Sequence, residues 1–222
     1  PILEKSEAPT IAVHGEASPE YFALLNQRGN SLNRLGKFSE GRAFFSEHLA
    51  EAESLLGAEH RETIKMRNNL GISIYSTGDL PGYDEITARN FGIVERTLEE
   101  GDSRRANVAH KRGIALVVTG DLDGAKALTK RYAETSTASL GPSHHNTLSH
   151  LSLLAAAHGF AGERAQEREV NERIVARKRE VLDPNHPALA FALNNLAVAL
   201  ERNKRYDEFE PVMEEVLAIR MK

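Results

Sequence analysis

Nothing constrains this chain more than a step of 42 residues that recurs without insertion or deletion. The stretches LGAEHRET (56–63), LGPSHHNT (140–147) and LDPNHPAL (182–189) open on Leu56, Leu140 and Leu182, 84 and then 42 residues apart. Leu98, at the head of LEEGDSRR, is the missing member, and HGEASPEY (14–21) is a weaker echo one step earlier. Small residues keep the same step at Gly29, Gly71, Gly113, Ala155 and Ala197, followed seven residues later by Gly36, Gly78, Gly120, Gly162 and then Lys204. Apolar side chains follow in turn at Phe44, Ile86, Leu128, Val170 and Val212, and again at Leu49, Phe91, Ala133, Val175 and Leu217. Self-similarity at a fixed step of this size marks a stack of small supersecondary units, none able to bury its apolar face alone.

Each copy reads as two helices. In ETIKMRNNLGISIYSTG, Ile64, Leu70 and Ile74 share one helical face, and DLDGAKALTKRYAETSTASL carries a second apolar stripe ending on Leu140. A short Gly-Asp-Leu or Gly-Lys-Phe turn lies between them, where glycine gives the backbone freedom needed after a helix end. The expected helices are about 16–18 residues long, some 25 Å. The small residue of each first helix lets its partner approach closely.

The adjacent histidines His144 and His145 raise the question of a metal site. The repeat aligns His144 with His60 and His186, and His145 with Arg61 and Pro187. These positions fall at a corner between copies, where Leu140 seals the bend, Gly141 releases one helix and Pro142 prevents its continuation. The histidines stand where a new helix leaves backbone N–H groups needing acceptors. No Cys, Asp or Glu has ligand spacing beside them, so a structural corner is expected and no metal or other cofactor.

Composition narrows the class further. The 222 residues are 41% hydrophobic and 27% charged, with a net charge of −4 and no cysteine. Such a balance suits a globular fold, and no charge run suggests nucleic-acid or membrane binding. No apolar run approaches the roughly 18–20 residues of a membrane span, and the absence of cysteine fits a reducing compartment, so a cytoplasmic location is expected. The chain starts at Pro1 and not at Met, and is expected to be part of a longer protein.

With these residues in view, the chain resembles the tetratricopeptide repeat in its longer, kinesin light chain form, whose unit reads approximately L-G-x-x-H-P-x-T, N-N-L-A, G-x-Y-x-E-A. Residues 182–189 with Asn194-Asn195-Leu196-Ala197 and Arg205-Tyr206-Asp207-Glu208 are the best copy, followed by Asn68-Asn69-Leu70-Gly71 with Gly78-Asp79-Leu80. The resemblance implies an all-α, right-handed superhelical α-solenoid of five helix-turn-helix units over residues 18–222, with copies at about 18–59, 60–101, 102–143, 144–185 and 186–222. Residues 1–17 would be the worn end of a preceding copy. There are departures. Asp102 replaces the corner histidine of the third copy, and Arg164 and Glu167 of the fourth stand where the family has an aromatic residue and an alanine. Pro211 sits within the last helix, which is therefore expected to start late, near Asp207, or to bend. No polar helix caps the final apolar face, so further repeats, another domain, or self-association through that face are expected.

In this family the first helices line a concave groove, and the resemblance implies that the residues three before the small position hold peptide main chain. They are Asn26, Asn68, His110, Ser152 and Asn194; asparagine has both a donor and an acceptor for such pairing. One position after the small residue come Asn30, Ile72, Ile114, Ala156 and Val198, and five after it Arg34, Ser76, Val118, Phe160 and Arg202. Arg34, Lys65, Lys111 and Arg112 would favour an acidic peptide. A second recognition mode, a clamp for a terminal carboxylate, would use Asn26, Asn30, Asn69, Asn107 and Lys111, but two of its three charges are missing. The expected function is binding of an extended peptide or partner segment; the alternative is a regulatory arm holding another part of its own chain. Enzymatic activity is not expected, because no nucleophile–base arrangement or phosphate-binding loop is readable. The glycines follow the repeat, and residues 163–180 read as a solvated helix laced with opposite charges.

Overall fold

The computed structural model of the chain describes residue 15 and residues 18–221, which form ten α-helices and no strand. They come in pairs: α1 (Pro19–Arg34) and α2 (Phe38–Leu55), α3 (Arg61–Ser76) and α4 (Leu80–Thr97), α5 (Ser103–Thr119) and α6 (Leu122–Leu140), α7 (His145–Phe160) and α8 (Arg164–Val181), α9 (Pro187–Arg202) and α10 (Tyr206–Arg220). Each 42-residue copy is one helical hairpin. The proposed remnant of an earlier copy at 1–17 lies, but for Gly15, outside the described residues.

The first helix of every copy begins on a side-chain acceptor. Ser18 Oγ accepts the Tyr21 N–H at 3.1 Å, His60 Nδ1 that of Glu62 at 3.2 Å, and Asp102 Oδ1 that of Arg104 at 2.8 Å. His144 Nδ1 takes the Asn146 N–H at 3.1 Å and His186 Nδ1 that of Ala188 at 3.0 Å. Each satisfies a donor that the first helical turn leaves without an internal partner. The His144–His145 pair is thereby divided between a cap and the first residue of α7.

The turn inside each hairpin needs a left-handed residue. Gly36, Gly78, Gly120 and Gly162 have φ of 75°, 83°, 90° and 76°, and Lys204 takes the same role at φ 57°. Between the paired helices the small residue is required most at Gly29, where a Cβ would lie 2.4 Å from Phe45 Cζ; at Gly113 a Cβ would meet Thr129 Cγ2 of the paired helix at 3.1 Å and Leu153 Cδ2 of the next copy at 2.8 Å.

Two compact units result, Pro1–Glu99 and Glu100–Lys222. In the first, α1 packs on α2 and α3, α2 on α3, and α3 on α4, around Phe22, Leu25, Phe45, Met66, Leu70 and Val94. In the second, α5 packs on α6 and α7, and each later helix on the next, around Leu151, Leu154, Ile174, Leu189, Leu193 and Leu200. The atypical Glu167 keeps its register in α8. It is buried, and the opposing residue, Gly159, is so close that a Cβ there would sit 2.6 Å from Glu167 Oε1. At the same pair of positions in the first copy the sizes are reversed, with Gly41 against Asn33. α10 starts at Tyr206, one residue before the expected Asp207, and carries the exposed Pro211 inside it.

Candidate functional site

The residues expected to line a groove separate into two groups once their surroundings are known. In the first unit several asparagines join helices together. Asn26 is 5% exposed, and its Nδ2 donates to the Glu62 carbonyl at 3.0 Å and to Glu62 Oε2 at 3.1 Å, while its Oδ1 accepts from Asn69 Nδ2 at 3.3 Å. Asn33 continues the seam, donating to the Asn69 carbonyl and accepting from Ser73 Oγ. Asn26 therefore offers no open amide to a ligand, a correction to its expected role; it ties α1 to α3. A clamp using Asn26 and Asn69 is disfavoured for the same reason.

Asn68 faces its own hairpin partner. Its Oδ1 accepts from Asn90 Nδ2 at 2.9 Å, and Asn90 in turn accepts from the fully buried Arg67 at 2.6 Å. Lys65 is paired with Glu62 at 2.9 Å, which neutralises one of the cations expected to attract an acidic ligand. Asn30 and Arg34 remain exposed on α1, and Tyr75 and Ser76 on α3.

In the second unit His110 is mostly buried and packs edge-on against His150, its ring centroid 5.6 Å away. Burial, and then the neighbouring His150, push its pKa down to about 4, so it is a neutral ring within the hairpin. Asn107 is exposed one turn earlier, whereas Lys111 is half-buried and its ammonium pKa is lowered by desolvation.

Beyond these helices the expected positions come together. Ser152, Ala156 and Phe160 of α7 face Asn195, Val198 and Arg202 of α9 across a crevice of about 220 Å³. At its base Glu167 receives Arg202 Nη1 at 2.7 Å and Arg164 Nη1 at 3.3 Å, so the pair from successive copies is fixed in place. Phe160 is 73% exposed, and on α9 Phe191 is 62% exposed. Asn194 and Asn195 are half-buried, with side-chain amides that take no partner among the described residues. A patch of exposed aromatic and aliphatic surface flanked by open amides has the composition of a site for an extended chain.

Phe191 and Asn195 escaped the reading of the sequence. Phe191 lies six residues before Ala197, on the same helical stripe as Val198 and Arg202, and an aromatic residue on an otherwise solvated stripe was the available signal. Asn195 is the second residue of the Asn-Asn pair, and which of the two amides opens outward depends on helix rotation.

Residues 147–188 and 190–220 match the tetratricopeptide-repeat family model. No curated protein matches the chain by sequence. Among solved structures, nearly identical TPR-like repeats of a kinesin light chain-like protein from Podosopora anserina superpose with a TM-score of 0.80 at 21% identity, covering 88% of this chain and 92% of that one. BtubC (BKLC) from P. vanneervenii gives 0.79 at 15% identity, covering 100% and 92%. MamA of AMB-1 gives 0.58 at 16%, covering 89% and 98%. No described helix is long and apolar enough to cross a membrane. The two C-terminal copies are thus tetratricopeptide repeats, and the chain as a whole has the repeat-array fold seen in kinesin light chain-like proteins.

Proposed function

We propose that the chain is a protein–protein interaction module and that the crevice between α7 and α9 holds an extended segment of a partner. Repeat arrays of this architecture present continuous binding surfaces, but the ligand is set by the side chains on them. The observation that carries the reading is the exposure of Phe160 and Val198 at the crevice, with the exposed Phe191 on the same stripe of α9, beside the unpartnered amide of Asn195. Apolar side chains of the partner would cover the first three, and its main chain would pair with the amide. Each such hydrogen bond nets only about 0.5–1.5 kcal/mol, so the apolar anchors supply most of the affinity. Charge has a small part at this crevice, because the cation that lines it, Arg202, is already held by Glu167, and the cations expected to favour an acidic peptide, Arg34, Lys65, Lys111 and Arg112, do not line it.

The test begins with a peptide selected on the wild-type chain from a random display library. Phe160→Ala combined with Asn195→Ala should weaken that peptide by about tenfold or more, with the melting temperature little changed, because Phe160 is exposed and the half-buried Asn195 amide takes no partner among the described residues. A selected peptide whose affinity ignores the double variant does not bind here, and the assignment of the crevice is then lost.

A further inference from the structure

On the opposite side of α7 a larger cavity, of about 500 Å³, opens between α6 and α8. Ala133, Leu151, Leu154 and Val170 form its apolar floor, and Lys130, Glu134, Glu169 and Arg173 stand at its mouth. The repeat provides an internal comparison for this place. In the first unit the corresponding crevice is filled: Glu53 of α2 binds Arg89 of α4 at 2.7 Å, and below them Arg67 reaches Glu53 at 2.8 Å with no exposed side-chain surface. At the matching positions of α8 and α10, Arg179 binds Glu215 at 2.5 Å. Second helices of successive copies are thus fastened by an ion pair at both places.

Between α6 and α8 the pair at this place is missing, although at the far end Lys126 binds Glu163, the N-cap residue of α8, at 2.6 Å. Position 137, equivalent to Glu53, is threonine, and its hydroxyl donates to the Ala133 carbonyl of its own helix at 2.6 Å. Leu151 stands where Arg67 stands, and Ala133 where Leu49 stands, which leaves the space open. Arg173, equivalent to Arg89, has no carboxylate in ion-pair reach among the described residues and is exposed at the mouth. One side of a recurring ion pair is present, with its partner and the filling side chain both absent.

We propose that this cavity is a binding site for a small aliphatic or aromatic monocarboxylate. Its carboxylate takes the place on Arg173 that Glu53 occupies on Arg89, and its apolar body covers Ala133, Leu151, Leu154 and Val170. The guanidinium fork matches a carboxylate with two parallel hydrogen bonds. The volume falls within the roughly 300–1,000 Å³ usual for small-molecule pockets with apolar walls and few polar groups. Glu134 and Glu169 balance Lys130 and Arg173 at the rim, so a second negative charge on the ligand would be opposed. The site lies away from the crevice between α7 and α9 and is tested independently of it.

Octanoate and octanol serve as probes, titrated into the whole chain and followed by backbone amide shifts. Octanoate should saturate, with shifts confined to α6, α7 and α8, and octanol should bind at least about tenfold more weakly, since it lacks the charged head. Thr137→Glu should restore the fastening to Arg173 and lower octanoate affinity by a similar factor. Arg173→Gln should reduce octanoate to the level of octanol while leaving octanol unaffected; this surface substitution carries the test if Thr137→Glu does not fold. Absence of saturable octanoate binding, equal affinity for the two probes, or an Arg173→Gln variant that binds octanoate like the wild type overturns the proposal.

Discussion

Single residues in this chain are set by what stands opposite them in the next helix, more than by the repeat position they occupy. Gly29 and Gly71 share a position, yet a Cβ at Gly29 would meet Phe45 at 2.4 Å whereas one at Gly71 would meet Ile86 Cγ2 at 3.4 Å, an ordinary contact. Gly29→Ala should therefore destabilise by about 1–3 kcal/mol through overpacking. Gly71→Ala should be neutral or stabilise by up to about 1 kcal/mol, because alanine loses less backbone freedom in a helix. Urea midpoints of the two variants, compared directly, decide the point; equal effects would mean that the helix spacing is wrong. Lys204 is the complementary case. It holds the left-handed turn that glycine holds in four other copies, a conformation that costs an L-residue roughly 1–2 kcal/mol. Lys204→Gly should raise stability by about 1 kcal/mol, and a lower melting temperature would contradict it.

Between elements, the first unit is held by a buried polar network as much as by its apolar core. Arg67 donates to Glu53, to Asn90 and to the Ala58 carbonyl, and Glu53 also binds Arg89. Burial lowers the Arg67 pKa and the Glu53 hydrogen bond opposes that shift, so the charge persists because its carboxylate is in place. Glu53→Gln leaves a buried guanidinium without its counter-charge and should destabilise by about 3 kcal/mol, measurable by urea denaturation. A change under about 0.5 kcal/mol would place Arg67 in contact with water. The sequence showed that these residues lie on helices. It did not show that they meet, because Glu53, Arg67 and Asn90 come from three different helices, and Arg67 and Asn90 each stand in one copy only.

At the scale of the molecule, acid acts first on the second unit. His150 is 1% exposed, donates from Nε2 to the Ala106 carbonyl at 3.1 Å, and stacks on Tyr132; burial pushes its pKa, like that of His110, down to about 4. An unfolded histidine titrates near 6.5, so between about 6.5 and 4 the unfolded chain binds more protons than the folded one. Stability is therefore complete above pH about 6.5 and is lost as the pH falls toward 4, by about 3 kcal/mol for His150 alone. The carboxyls of Asp79, held low first by the Gly82 N–H, and Glu163, held low first by Lys126, withdraw their contributions only further into acid. Hydrogen exchange at pH 7 and pH 4.5 should show protection lost in α5 to α7 before α1 to α4. Stability that stays flat over this interval would show that both rings are hydrated.

The sequence by itself determined the hairpin, its length and its punctuation. Caps, left-handed glycines and the small contact residue depend on local backbone geometry, and local geometry repeats wherever the chain repeats. That is why the corner histidines were legible as helix starts without coordinates. Tertiary structure alone decided which polar residues are spent and which are open. Asn26, Asn68 and Asn194 occupy one repeat position, yet the first ties α1 to α3, the second accepts from Asn90, and the third has a free amide. Each outcome is set by a side chain about one repeat or half a repeat away, and these neighbours change along the chain: Glu62 gives way to Arg104 and Asn146, and Asn90 to Tyr132 and Ile174. Periodicity fixes where a residue stands, and only the non-repeating residue packed against it fixes whether it can bind anything else.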